Sequence, residues 1–477
     1  MATSIKNGGV IGLIFGLAVS GLTVGAQAAD LGDVVKALPV KSPLPDALTW
    51  NGITLYGAVD VGYGYSTSGA PIGGSYWGIN PNAFAAPAGR QAISSLNTLG
   101  YSFVGLKIEE NIGSGWQAIG RIEAGFDPLT GEFDDACKVN INNNGKPTNL
   151  QTTDGDANRC SPINGQAWAG VRNPIYGQVQ VGRNNSLASD SVLGFDPVTI
   201  YSFSALGWSP GIGGGTGATE TARWNDSVKY VYQNELVHAG LMFAQGAQDS
   251  SLHGDSYAAN FGVTWHGFAV DAVYTVERDA IKTGVFGAGA CGTVGTPSCS
   301  TLTVTGMNNE ALGLMGKYTY DFNGGAKGSN NKLTFYAGYH HIRSSDPSDP
   351  LSVGDTTIGG YMFGAVNNTA FLYGDKNVGT VWVGAKYEIG SWAISTAYYR
   401  AMQDYYMGSV SATACSTADH SYCSGTWNTA SLSAVYTFDK HLDAYAGLVW
   451  SNLVGGMAAG YPTPYNTSFL SGVILRF

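Results

Sequence analysis

One rhythm constrains this chain more than any other feature. Segments in which every second side chain is apolar, about sixteen of them and ~8–14 residues long, follow one another from residue 51 to the end. In the first, Leu55, Gly57, Val59, Val61 and Tyr63 share one side, with Thr54, Tyr56, Ala58, Asp60 and Gly62 on the other. The breaks between segments alternate in length. Tight turns fall at Gly113-Ser114-Gly115, 173–177, 233–235, His266-Gly267, 323–331, Ile389-Gly390 and Asp439-Lys440. Long connections fall between them, at 67–97, 127–164, 184–224, 249–255, 279–306, 345–375, 403–425 and 453–464. Structureless loops longer than ~15 residues count against a compact soluble domain. A closed antiparallel β-barrel with all its short turns at one end accommodates every one of them. The expected fold is therefore all-β: a closed antiparallel barrel of about sixteen strands.

The last segment ends without a tail. In Ser471-Gly-Val-Ile-Leu-Arg-Phe477 the alternation runs to the terminal residue, with Phe469, Ser471, Val473, Leu475 and Phe477 on one side. A soluble domain has no reason to finish its last strand on a free Phe.

The N-terminus adds a membrane argument. Residues 1–7 carry one cation, Lys6; residues 8–25 are apolar and uncharged; Ala26-Gln27-Ala28 then forms an A-x-A cleavage site. This predicts a signal peptide over 1–28 and a mature chain from Ala29. A transmembrane helix is the competing reading of the run, disfavoured by the small residues and the cleavage site that follow at once. An exported chain without a helical anchor crosses a membrane only as a closed barrel. Composition agrees, because only 12% of residues are charged, about half the usual share. Residues 29–50, broken by Pro39, Pro43 and Pro45, lie outside the strand rhythm and read as a periplasmic tail ahead of a barrel at 51–477.

The formal net charge is -10. That excludes nucleic acid as a partner, since neutralising phosphates takes basic clusters. It suits a lumen that prefers cations, and equally acidic loops that keep a surface protein soluble. The cysteines fall in three close pairs, Cys137 with Cys160, Cys291 with Cys299, and Cys415 with Cys423. In an exported chain they predict loop disulfides, with sequential pairing favoured because each pair sits in one loop. Zinc is disfavoured, since no C-x-x-C and no histidine pair accompany them. The acidic run Asp154-Gly-Asp-Ala-Asn158 starts like a calcium loop, but Arg159 stands where the turn needs Gly and Gly165 where a Glu is needed. No cofactor or metal is expected. None of the seven histidines sits in a recognisable catalytic motif, so an outer-membrane barrel enzyme is the remote alternative.

Six fragments carry a family resemblance: Ile53-Thr-Leu-Tyr-Gly-Ala-Val-Asp60, Ser102-Phe-Val-Gly-Leu-Lys107, Gly120-Arg-Ile-Glu-Ala-Gly-Phe126, Gln166-Ala-Trp-Ala-Gly-Val171, Val181-Gly-Arg-Asn-Asn185 and Arg223-Trp-Asn-Asp-Ser-Val-Lys-Tyr230. In this order, and closed by Phe477, they resemble the general porins of Gram-negative bacteria, trimeric sixteen-stranded diffusion channels. The resemblance implies an outer-membrane homotrimer, in contact with lipid and lipopolysaccharide, that passes small hydrophilic solutes and ions. It makes Phe477 the signal read by the barrel assembly machinery. It also implies that the third long loop, 184–224, folds inward to form an eyelet.

Residue by residue, the resemblance makes Arg183 and Arg223 wall cations. Alternation adds Arg121 and Arg172, and turns Asp60, Phe103, Glu109 and Glu123 toward the lumen. Asp190 and Asp196 are the acidic candidates on the loop. Ala58 and Phe103 stand where relatives carry cations. The expectation is a mild cation preference that Phe103→Arg would move toward anions. A sugar-selective pore, with Tyr201, Phe203 and Trp208 as an aromatic slide, is the alternative.

Overall fold

The computed structural model describes residues 48–67, 91–96, 98–129, 131, 133, 163, 165–198, 203–206, 223–246, 255–278, 282–283, 304–305, 308–323, 330–345, 357–358, 361–362, 374–406, 423–456 and 465–477. The signal peptide, the tail up to residue 47, Cys137, Cys160, Cys291, Cys299, Cys415, Tyr201 and Trp208 lie outside these residues.

Sixteen strands close into one antiparallel barrel. They are β1 (Ile53–Ser66), β2 (Phe103–Gly113), β3 (Trp116–Gly125), β4 (Ala167–Asn173) and β5 (Gly177–Asn185). After helix α1 (Leu187–Phe195) come β6 (Arg223–Gln233), β7 (Val237–Ala244), β8 (Ser256–Trp265), β9 (Phe268–Glu277), β10 (Asn308–Asp321) and β11 (Asn331–Ser345). The last five are β12 (Lys376–Ile389), β13 (Trp392–Gln403), β14 (Gly425–Thr437), β15 (Leu442–Gly455) and β16 (Tyr465–Arg476). Each strand pairs with the next, and β16 returns to β1 from Ala58↔Arg476 to Ser66↔Ser468. Phe477 completes the seam: its N–H donates to the Gly57 carbonyl (3.1 Å) and its carbonyl accepts from Gly57 N–H (2.9 Å). A side chain at Gly57 would meet the Phe477 ring, so glycine there lets the terminal aromatic lie against the strand.

The register follows the alternation through the ladders, with shifts only at Asn111/Gly113 and Gly182/Asn184 among the described residues. Leu55, Leu106, Ile122, Leu241, Phe261, Leu314 and Val383 face outward and are exposed, whereas Asp60, Glu123, Asp271, Thr275 and Ser431 face inward and are buried. This is the apolar-out, polar-in order of a membrane barrel. No helix among the described residues is long and apolar enough to cross a membrane.

One expected strand is broken. Alternation predicts a continuous second strand over 98–112. Instead Gln91–Leu96 pairs with the Val61–Ser66 half of β1, and Phe103–Ile108 pairs with the Ile53–Ala58 half. Residues 98–102 leave the ladder between them. Asp60 holds the excursion, accepting from Leu99 N–H (2.6 Å) and Gly100 N–H (2.8 Å), while Ser102 Oγ accepts from Asp60 N–H. Backbone groups out of the sheet need other partners, and a single carboxylate supplies two of them.

Candidate functional site: the inward loop and the facing wall

The third loop begins with a capped helix. Ser186 is the N-cap, its Oγ accepting from Ser189 N–H at 3.0 Å, and Asp190 sits in the first turn where the helix dipole favours an anion. Leu187, Ala188, Val192 and Phe195 are buried, joined in one cluster with wall residues that include Met242, Val273, Met315 and Trp382. Gly240 leaves space for the Leu187 side chain.

Polar contacts fix the helix at both ends. Lys229 of β6 donates to Asp190 and to the Asn185 carbonyl (2.9 Å). At the far end, where helical carbonyls lack internal partners, Lys317 of β10 donates to Gly194 O and Trp382 of β12 donates through Nε1 to Phe195 O, each at 3.0 Å. Lys317 also lies 5.2 Å over the Phe195 ring. The chain then passes Pro197 over Gly384, places Asp196 as acceptor of the Tyr399 hydroxyl, and packs Phe203 edge-on to Tyr445 above Gly447. The loop thus crosses the interior from β6 to β15.

The wall of β1–β3 carries a second constellation. Tyr56 donates its hydroxyl to Glu123, which also accepts from Gln166 N–H (3.0 Å) and lies 3.6 Å from Arg121. Phe103 packs edge-on to Tyr56 and stacks on Tyr101. Arg121 lies over the Tyr56 ring and Arg223 over the Tyr101 ring, at 5.8 and 5.4 Å. Cation–π contact draws each guanidinium to the aromatic layer.

The expected site residues therefore separate into groups. Arg121 and Arg223 belong to one aromatic-backed wall and stay partly exposed. Arg183 is buried in a bulge between β5 and β6, donating to Gly165 O (3.0 Å) and Asn225 Oδ1 (2.7 Å). Arg172 lies beside the 173–177 turn with Glu109 and Gln117, both within 3.1 Å. Asp60 and Glu123 do point inward, but both are 0% exposed, sealed by the hydrogen bonds above. Phe103 is 1% exposed and lies within the aromatic layer rather than lining open lumen. Asp190 is neutralised by Lys229, and Asp196 is buried against Tyr399. Phe203 packs the loop to the wall.

Lys229, Lys317, Trp382, Tyr399 and Tyr445 were not foreseen as anchors. Alternation turns all five inward, but it carries no sign of which inward residues a loop will cover.

A sixteen-stranded barrel crossed inside by its third loop directs attention to channel proteins, and the sequence comparisons decide the matter. The profile of the Gram-negative porins matches residues 16–455. The chain belongs to the Gram-negative porin family. An outer membrane porin protein of Bordetella pertussis is 27% identical over 213 residues, a match spanning 44% of this porin and 45% of that relative. Among solved structures, an anion-selective porin from Comamonas acidovorans superposes with a TM-score of 0.53 at 13% identity, over 89% of this chain and 99% of that one. In-vitro folded OmpT, an outer membrane protein of Vibrio cholerae, gives 0.52 at 13%, over 91% and 100%. These two likenesses establish the shared barrel. This porin is an outer-membrane protein.

Proposed function

We propose that this porin is a water-filled diffusion channel for ions and small hydrophilic solutes, narrowed to an eyelet by the third loop. One observation carries the reading: α1 is held inside the barrel by wall residues at both ends, through Lys229–Asp190, Lys317–Gly194 and Trp382–Phe195. Such a loop narrows the lumen without closing the sheet over it. Planar-bilayer recording of the refolded protein tests this. Discrete open-channel steps are expected; a barrel that inserts and gives none is plugged, and the reading fails.

For ion sign, the geometry supports the opposite of what net charge suggests. Asp60, Glu123 and Asp196 are buried and Asp190 is paired with Lys229, while Arg223 and Arg121, the latter beside the buried Glu123 at 3.6 Å, remain partly exposed on the facing wall. We read the constriction as favouring anions, with the acidic excess residing elsewhere. A positive wall of low dielectric concentrates anions near it. Reversal potential in a salt gradient decides the sign directly.

The same reading includes a homotrimer assembled after signal-peptide cleavage and insertion by the barrel assembly machinery. The outward faces of β3 and β4 support it: Ala118, Gly120, Ala124, Ala167 and Ala169 are small, with the aliphatic Ile122 and Val171 among them, where other strands carry large aromatics. Loop disulfides belong to it too, since Cys423 is disulfide-bonded. No chemistry requiring a cofactor or a catalytic residue enters this function.

A further inference from the structure

Buried polar atoms in a folded chain find partners, and a buried charge needs one most of all. One stretch of the inner wall departs from this. At the long-loop ends of neighbouring strands, Glu277 of β9, Asn309 of β10, Ser344 of β11 and Lys376 of β12 stand in one register row. Asn309, Ser344 and Lys376 share parity with Met315, His340 and Trp382 on their own strands, so they face inward, and all are buried. Long loops of such barrels face the cell exterior. The row therefore lies at the outer mouth, well beyond Met315, which clusters with α1.

Two members of the row lack what burial demands. Lys376 is 8% exposed, yet its ammonium makes no hydrogen bond or ion pair among the described residues. Asn309 is 1% exposed. Its Oδ1 accepts from Ser344 Oγ at 2.8 Å, which leaves the Nδ2 amide buried without a partner. The acids nearby are engaged. Glu277, on the far side of Asn309 from Lys376, has contacts of its own, and Glu310 and Asp375 both pair with Arg343. From Asn309 to Lys376 the row holds unused donors and no carboxylate.

The next inward row is apolar: Ala311, Ile342 and Val378 are paired across β10–β12 and buried. Gln403 ends that row on β13, donating to the Cys423 carbonyl at 2.9 Å. A carboxylate only accepts, and its two oxygens can meet two separate donors. Adjacent strands lie ~4.8 Å apart, and the flexible stem of a lysine lets its ammonium lean across a neighbouring strand. One carboxylate above Ser344 is thus within reach of both side chains. The apolar row beside it favours a hydrocarbon end over a bare inorganic anion. We propose that Lys376 and Asn309 bind the carboxylate of a small organic acid at the outer mouth, its hydrocarbon end directed at Ile342 and Val378. The site is separate from the Arg121–Arg223 wall and rests on the diffusion-channel reading only for the route by which the acid arrives.

Titration of the detergent-solubilised protein with sodium butyrate, followed by saturation-transfer NMR and by melting temperature, tests this. Wild type should bind butyrate, and Lys376→Met should bind it about tenfold more weakly, as the loss of one charge-assisted contact implies. Asn309→Asp supplies a carboxylate from the chain itself, so it should abolish butyrate binding and melt higher than wild type. Lys376→Met removes an unpaired buried charge and should melt no lower than wild type without butyrate. Butyramide, uncharged but of the same shape, and inorganic sulfate should each bind wild type far more weakly than butyrate. Equal binding by Lys376→Met, equal binding of butyramide or sulfate, or no butyrate binding to wild type would overturn the proposal. So would a lower melting temperature of Lys376→Met, which would show that the lysine already has a partner. Binding is read without current, so a plugged barrel that still binds butyrate is distinct from an open channel that lacks the site.

Discussion

Tyr445, on β15, donates its hydroxyl to Asp60, on β1, at 2.6 Å, reaching across the strand that lies between them. It can do so because Tyr445, Gly472 and Gly62 stand in one register row. A side chain on either glycine would collide with the tyrosine hydroxyl. The two glycines form a shallow track at the barrel seam, and the tyrosine lies in it. Asp60 in turn holds the 98–102 excursion through Leu99 and Gly100. One contact thus ties the closing seam to the wall of the pore.

Tyr445→Phe removes one of three donors to a buried carboxylate, a loss of about 1–3 kcal/mol. The urea midpoint of unfolding, followed by tryptophan fluorescence, should fall accordingly. Gly472→Ala should cost more, since the added methyl meets both the Tyr445 ring and the Val61 carbonyl. An unchanged midpoint in both variants would remove the seam contact from the account of stability.

Lys229 is 4% exposed and its charge is met by Asp190. Asp190→Asn leaves a buried ammonium without its counter-ion, a loss of about 3–5 kcal/mol in comparable pairs. The variant should show a looser third loop, seen as added open-channel noise and faster proteolysis within the loop. Lys229→Met combined with Asp190→Leu should recover much of the stability, because an apolar pair of similar volume often replaces a buried ion pair at little cost. A quiet channel in Asp190→Asn would show that the ion pair does not position α1.

Phe103→Arg is expected to fail as a clean selectivity switch. Phe103 is enclosed by Tyr56 and Tyr101, with Arg121 and Arg223 on the same aromatic layer. A third guanidinium there would be buried beside two others. The expected outcome is a lower yield of folded barrel, scored as the heat-modifiable band on a gel. Wild-type yield together with a simple shift in reversal potential would mean that the site is wet.

Arg121→Gln is the better probe of ion sign, since Arg121 keeps a quarter of its side-chain surface exposed. The reversal potential should move toward cations at low salt. The shift should fade at 1 M salt, where screening limits the field to ~3 Å. A salt-independent shift would point to altered pore width instead of charge.

Deleting Phe477 removes both backbone hydrogen bonds to Gly57 and the ring that fills the space at that glycine. Refolding into lipid vesicles should slow, with the end state retained, since the β1–β16 ladder from residue 468 to residue 476 survives. Loss of the folded band altogether would make the terminal residue essential to closure.

Much of the fold was legible in the residues, and the reason is locality. Alternation is set by the strand itself, so the facing of Tyr56, Asp60, Arg121 and Glu123 could be read directly. The turns could be read as well, because Ser114 and His266 adopt positive φ within hairpins that their own glycines make tight. The broken second strand could not, because residues 98–102 alternate acceptably, and they leave the sheet where Asp60 captures the Leu99 and Gly100 N–H groups.

What the sequence determined by itself was therefore the barrel, its strand count and the side most strand residues take. What the tertiary structure alone decided was the fate of the inward charges. Asp60 and Tyr445 are 385 positions apart, and Asp196 and Tyr399 are 203 apart. Whether an inward carboxylate meets water or a tyrosine depends on how the loop docks and how the ends of the sheet register. Those are long-range contacts, and no period of two can encode them.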